Sequence, residues 1–340
     1  MKTGWLLGMA LGVFATSAAL AEQGEPLHIR NLNPLVAIFG LPAWDTIEPG
    51  TRIDTRFEVA NHYRLSARGP DLLIFDGETA RATFSIEHGF GDRWAFGAEL
   101  PYYHVSGGFL DNPIDAWHSA FHLPDGGRHR RPEYQLQFRV ARGGSDFFVL
   151  DRSRSGLGDV QLKLGKLIGD EHKFVVEVGL KLPTGDATML SGSGSSDAYV
   201  SVLRSQSLTG RRRAAGYYWG VGMVIAGKPE GVAFAANRWV YTGLLGGSWQ
   251  VLPKFSLKAQ LDVHSAFFDT PLEEFGETAS LLTFAASRPV GRRSTLDFAV
   301  VEDIRVSTAP DVEFQLARSE EHTSELQSLA YLVCRLLLEK

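Results

Sequence analysis

Residues 156–186 read GLGDVQLKLGKLIGDEHKFVVEVGLKLPTGD. Taken by twos, the first arm places Val160, Leu162 and Leu164 on one face and Asp159, Gln161 and Lys163 on the other. After a short polar turn, Gly169-Asp170-Glu171, the second arm alternates again. Phe174, Val176, Val178, Leu180 and Leu182 oppose Val175, Glu177, Gly179 and Lys181. Period-two alternation on both sides of a short turn is the signature of a β-hairpin. Each arm keeps the pattern for about ten residues, the length a tilted strand needs to cross a bilayer, whereas soluble strands centre on about 5–6. One face suits lipid and the other suits water.

The rest of the chain repeats this pattern. In Thr51–Ser66, Ile53, Phe57, Val59, Tyr63 and Leu65 alternate with Arg52, Asp54, Arg56, Glu58, His62 and Arg64. A second strand over Leu73–His88 turns at Gly89–Asp92 into a third, where Trp94, Phe96, Ala98, Leu100 and Tyr102 face out and Glu99 faces in. Strands follow the central hairpin near Asp197–Leu208, Gly216–Ala226, Trp239–Val251, Phe255–Phe267, Ala279–Arg288, Leu296–Val306 and Val312–Ala317. Short and long links alternate between them. Counting Tyr134–Arg142 as a barrel strand gives thirteen. Assigning it, with Phe147–Asp151, to one large outer loop over residues 104–155 gives twelve and puts every short turn on one side. Outer-membrane barrels have an even strand number, short periplasmic turns and longer outer loops. The expectation is therefore an all-β, transmembrane antiparallel barrel of about twelve strands over residues 51–317, with its last strand truncated.

Composition agrees with this class. Residues 1–21 read as a secretory signal peptide, with Lys2, an apolar stretch from Trp5 to Leu20, and the small-x-small site Ala19-Leu20-Ala21. Beyond it no apolar run reaches the ~18 residues of a membrane helix. The mean hydropathy of −0.07 fits strands whose second face lines a polar lumen. Glycine numbers 36 and aromatics reach 11%, as tight turns and interfacial girdles require. A net charge of −5 gives no case for nucleic acid. Residues 22–50 carry Pro26, Pro34, Pro42 and Pro49 without alternation and read as a periplasmic or lumenal segment.

The tail RSEEHTSELQSLAYLVCRLLLEK, residues 318–340, loses the period and holds the sole cysteine, Cys334. It resembles the conceptual translation of a short-read sequencing adapter, so the native C-terminus is expected to be missing.

Several motifs resemble a family of uncharacterised outer-membrane proteins of Gram-negative bacteria, a domain of unknown function. They are Arg30-Asn31-Leu32-Asn33-Pro34-Leu35 with Phe39-Gly40-Leu41-Pro42, Gly107–Asp111 with Ile114 and Trp117-His118, Gly156–Asp159, and Leu182–Asp186. The resemblance implies a barrel and a cell outer-membrane location. It brings no activity and no catalytic residues, and no cofactor is expected.

Three constellations could carry chemistry. His104-Val105-Ser106 resembles part of the His-x-Ser of outer-membrane phospholipase A, but a serine nucleophile needs a base and that base an orienting partner. Its plain alternative is a polar interfacial girdle. Asp115, His118 and His122 share a face of a short helix expected near Asn112–Phe121, a geometry open to a divalent metal, or simply to solvent. The neighbouring Arg128, Arg130 and Arg131 could meet lipopolysaccharide phosphates. Lumen-facing Arg52, Arg56, Glu58, Arg64, Arg81, Glu87, Glu99, Lys163, Glu177, Lys181, Lys258, Asp262 and Asp297 would tune ion selectivity in an open pore or fill a closed one with ion pairs. The run near Ser193 has no lysine and no strand-to-helix setting, so it is not a phosphate loop. A channel or small-solute transporter is the leading expectation. The alternatives are a structural or surface-binding barrel with a blocked lumen and, further off, a lipid hydrolase. Expected partners are outer-membrane lipid, lipopolysaccharide and the barrel-assembly machinery that reads the missing C-terminal end.

Overall fold

The computed structural model describes residues 24–122, 131–169, 174–209, 214–291, 293–304 and 308–322. Fifteen strands form one antiparallel sheet, and twelve of them close into a ring. We number these β1 (Gly50–Arg68), β2 (Asp71–Phe90), β3 (Trp94–Ser106), β4 (Gln161–Ile168), β5 (Phe174–Lys181) and β6 (Asp197–Thr209). The second half comprises β7 (Ala214–Ile225), β8 (Trp239–Leu252), β9 (Phe255–His264), β10 (Ala279–Pro289), β11 (Ser294–Asp303) and β12 (Val312–His322). Each pairs with its chain neighbours, and β12 closes on β1 from Asn61↔Val312 to Thr51↔His322. Among the described residues closure leaves the twelve-stranded ring without an unpaired edge, the condition for strands to stand in lipid.

The three remaining strands extend the long-loop rim. Gln137–Arg142 adds to the end of β2, Ser145–Leu150 pairs with it, and Arg154–Leu157 adds to the end of β3. The segment that could have made a thirteenth barrel strand thus belongs to the large loop. Helix α1 spans Asp111–Phe121 in the same loop.

Three details depart from the sequence expectation. The short link at residues 69–70, between β1 and β2, lies at the long-loop end, so short turns are not confined to one side. There β1 and β2, of 19 and 20 residues, continue past bilayer length and themselves supply the projection that a loop gives elsewhere. The arms of the central hairpin are paired over only 8 residues each. Finally, β12 runs past Ala317 through Arg318–His322. Backbone pairing is blind to side chains, and the facing edges of β1 and β11 offer partners to any extended residues placed between them. Residues 323–340 and 1–23 lie outside the described residues.

The outward face is apolar and exposed, with Phe57, Phe84, Phe96, Leu100, Val221 and Leu245 along the strands. Trp94 and Trp249 stand near the short-turn end, and Tyr102, Trp239 and Tyr241 near the other. Aromatic residues at both heights are what membrane–water interfaces select.

Candidate functional site: the occupied lumen

Alternation turns every second side chain of β1–β5 inward, and a large share of those are charged. Arg81 of β2 pairs with Glu58 of β1 at 3.1 Å and lies over the Tyr103 ring at 5.8 Å. Arg56 reaches Glu99 at 3.2 Å. Lys163 meets Glu87 at 3.3 Å, and Lys181 lies 2.7 Å from Asp159 and 3.1 Å from Asp197. All of these are buried. Losing one partner of such a pair costs about 3–5 kcal/mol, since the other charge is stranded.

The wall does not complete this network alone. Residues 24–49 enter the lumen, form no strand there, and supply the missing partners. Asp45 pairs with Arg52 and Lys163, and with His28 at 3.1 Å. Glu25 takes Arg52 at 2.6 Å, and Arg30 reaches Glu99 at 3.5 Å. Backbone groups are claimed as well. The Gln260 amide both donates to and accepts from Leu27, each at 2.8 Å. Gly40 N donates to Asp197 at 2.8 Å, and Lys181 Nζ donates to the Ile38 carbonyl at 3.1 Å. Asn31 and Asn33 turn the chain by accepting from N–H groups two residues on, an Asx-turn role.

At the long-loop end the segment becomes apolar. Leu35, Val36, Ile38 and Phe39 pack with Phe75, Phe138, Phe234, Phe267, Phe268, Leu272 and Phe275 in one buried cluster. Phe39 stacks on Phe267 at 4.3 Å between centroids. The cavity beside Arg30, Phe39, Arg81 and Lys181 holds about 10 Å³, room for about one water. A vestibule of about 80 Å³ at the short-turn end is lined by Glu25, Glu48, Arg52 and Glu87. In this state the segment stops the lumen.

The opposite wall differs. On β7 and β8 the inward positions are Gly216, Tyr218, Gly220, Val240, Leu244 and Ser248, and on β10 and β11 Leu281, Thr283, Ala285, Ala299 and Val301. Gly220 is required there: a Cβ would stand 2.6 Å from the Trp44 ring, which docks against this wall. Among the described residues charge returns with Lys258, 3.4 Å from Asp297, with Asp262, and with Glu313 and Glu321 of β12.

The positions singled out in the sequence therefore divide. Arg52, Arg56, Glu58, Arg81, Glu87, Glu99, Lys163, Glu177 and Lys181 gather around the inserted segment, and Lys258 and Asp262 stand across the lumen on β9. Arg64 is not among them. It lies at the mouth, bound to Glu274 of the loop after β9 at 2.7 Å. His104 shares a 2.7 Å hydrogen bond with Ser155, not with Ser106, whose oxygen accepts from Gly108 N at 3.2 Å. Asp115 is on α1 and His122 just beyond it at φ 56°, while the His118 side chain lies outside the described residues. Among the described residues no three His, Cys, Asp or Glu groups gather to hold a metal. Sequence reasoning missed Asp45 and Glu313, and it put Asp54 on the polar face of β1 without singling it out. An acidic residue in a Pro-rich segment just upstream of a cation-lined barrel was the available signal for Asp45.

A model of the protein family of unknown function DUF3187 matches residues 5–320. The chain belongs to that family. Among solved structures it is similar to the COG4313 outer membrane channel from Pseudomonas putida F1. That match has a TM-score of 0.50 and 12% identity, covering 84% of this chain and 100% of the other. The NanC porin matches with a TM-score of 0.43 and 10% identity, over 79% and 100%. No curated protein matches. The first likeness concerns the fold: DUF3187 here is a twelve-stranded outer-membrane barrel.

Proposed function

We propose that this barrel conducts small solutes across the outer membrane and that residues 24–49 close it at rest. The observation that carries this is how the segment is held. It contributes no strand to the sheet, and side-chain ion pairs and hydrogen bonds fix it to the wall. It can leave without breaking one rung of the barrel. The charged wall it would uncover suits water and ions, not an apolar core. That the Pseudomonas putida neighbour is described as a channel accords with this reading.

The depth of burial of these pairs favours a second reading, a barrel permanently filled and serving as a structural or surface-binding element. Planar-bilayer recordings of the full chain decide between them. Discrete openings, more frequent when Phe39→Ala weakens the apolar seal, support the channel. A folded barrel silent in both forms supports the filled element.

On either reading, export follows cleavage of residues 1–21 as a signal peptide, and the partners are outer-membrane lipid, lipopolysaccharide at the loop end, and the barrel-assembly machinery acting on the C-terminal strand. The channel reading assigns no catalytic part to His104 or Ser106.

A further inference from the structure

We infer that Glu313 is the residue that makes this lumen select cations. The inference rests on the channel reading above. Glu313 points inward from β12, is 1% exposed, and neither of its carboxylate oxygens has a hydrogen-bond partner among the described residues. Buried polar atoms are satisfied almost without exception, by protein, water or a bound group, so a bare carboxylate marks a place where something from the lumen is to be received.

Its surroundings point the same way. Following the sheet register sideways from Glu313 leads to Val301, then Thr283, Gln260, Gly246 and Tyr218. In that row, Thr283 Oγ1 and Tyr218 OH are also buried without partners. One step along β12, Gln315 Oε1 is another unfilled acceptor. Gln315 pairs in register with Glu58 of β1, so the bare acceptors of β12 stand beside the Glu58–Arg81 ion pair, with Thr283 two strands away.

The sign of the preference follows from where the cations are spent. Arg81 is engaged by Glu58 at 3.1 Å. Lys258 is engaged by Asp297 at 3.4 Å. Asp262 accepts from a neutral amide, Gln260, at 2.8 Å. The wall therefore offers carboxylate oxygen without a matching cation, and a small cation, inorganic or ammonium-type, is what supplies the missing charge and donors. Acidic residues in a lumen select for cations by this electrostatic route.

The test is the reversal potential of the full chain in a planar bilayer under a KCl gradient. The expected result is several-fold preference for K⁺ over Cl⁻, lost or sharply reduced in Glu313→Gln and retained in Glu313→Asp and in the rim control Glu273→Gln. Anion preference, or a cation preference that Glu313→Gln leaves unchanged, overturns the inference while leaving the channel standing. A folded chain that never conducts overturns both. Should Glu313→Gln not fold, Glu313→Ser is read in its place, with unchanged selectivity counting against.

Discussion

Asp197 of β6 accepts the backbone N–H of Gly40 at 2.8 Å with the same oxygen that lies 3.1 Å from Lys181 Nζ. One wall carboxylate thus binds the inserted segment and the lysine that itself holds the Ile38 carbonyl at 3.1 Å. Asp197→Ala removes both contacts, and the one its other oxygen accepts from Gly227 N at 2.7 Å, but leaves Lys181 paired with Asp159 at 2.7 Å. The expected cost is about 1–3 kcal/mol, that of unsatisfied buried groups. It falls on the segment and on the loop after β7, because the β5–β6 backbone ladder is untouched. Limited proteolysis of the refolded barrel checks this: cleavage within residues 24–49 should accelerate while the barrel band persists.

Gly220 gives a second handle. Its inward face is occupied by Trp44, so Gly220→Val drives a branched side chain into the indole, 2.6 Å from the nearest Cβ position. Overpacking of this kind costs about 1–3 kcal/mol. Displacing Trp44 toward water should red-shift its fluorescence. An emission spectrum unchanged from wild type would mean that Trp44 does not dock there.

The strands and their inward charges were legible because a two-residue period encodes which face each side chain takes, as in Arg52, Arg56 and Glu58 of β1. The occupation of the lumen was not. Leu27 meets Gln260 across 233 positions and Ala43 meets Glu177 across 134, and no local pattern encodes such partners. The outward direction of His104 could be read from parity, but its partner Ser155 comes from a strand of only four residues. Glu313 was overlooked because Val312–Ala317 is too short for alternation to single out one position, and β12 was expected to stop at Ala317, whereas pairing continues to His322.

Outside the membrane, Asp186 offers a pH test. It follows β5, and its carboxylate accepts from Thr188 N at 2.7 Å and Thr188 Oγ1 at 2.6 Å, which hold its pKa below the ordinary aspartate value. A depressed folded-state pKa contributes stability that is full above the unfolded value and is lost as pH falls through the folded one. The turn at Ala187–Met189 should therefore stay ordered at neutral pH and loosen only under acid, below the normal aspartate range. Hydrogen exchange at Thr188 N across pH, corrected for intrinsic rates, measures this. Asp186→Asn should blunt the pH dependence.

The seal at the long-loop end supplies the sharpest separation between a gate and a filler. Phe39 stacks on Phe267 at 4.3 Å and meets Phe268 edge-on at 5.6 Å, inside a cluster that the loops after β7 and β9 share with the inserted segment. Truncating a buried phenylalanine costs about 3–5 kcal/mol. Phe39→Ala takes that from the closed state, and little from an open state in which the segment has left. A gate should then show higher open probability with unchanged single-channel conductance, because the lumen wall is the same. Phe267→Ala, made on the other side of the stack, should give a similar shift. The double variant should fall short of the sum, since each single change already removes the shared contact. Strict additivity, or a change in conductance in place of open probability, would show that Phe39 and Phe267 line the path and do not close it.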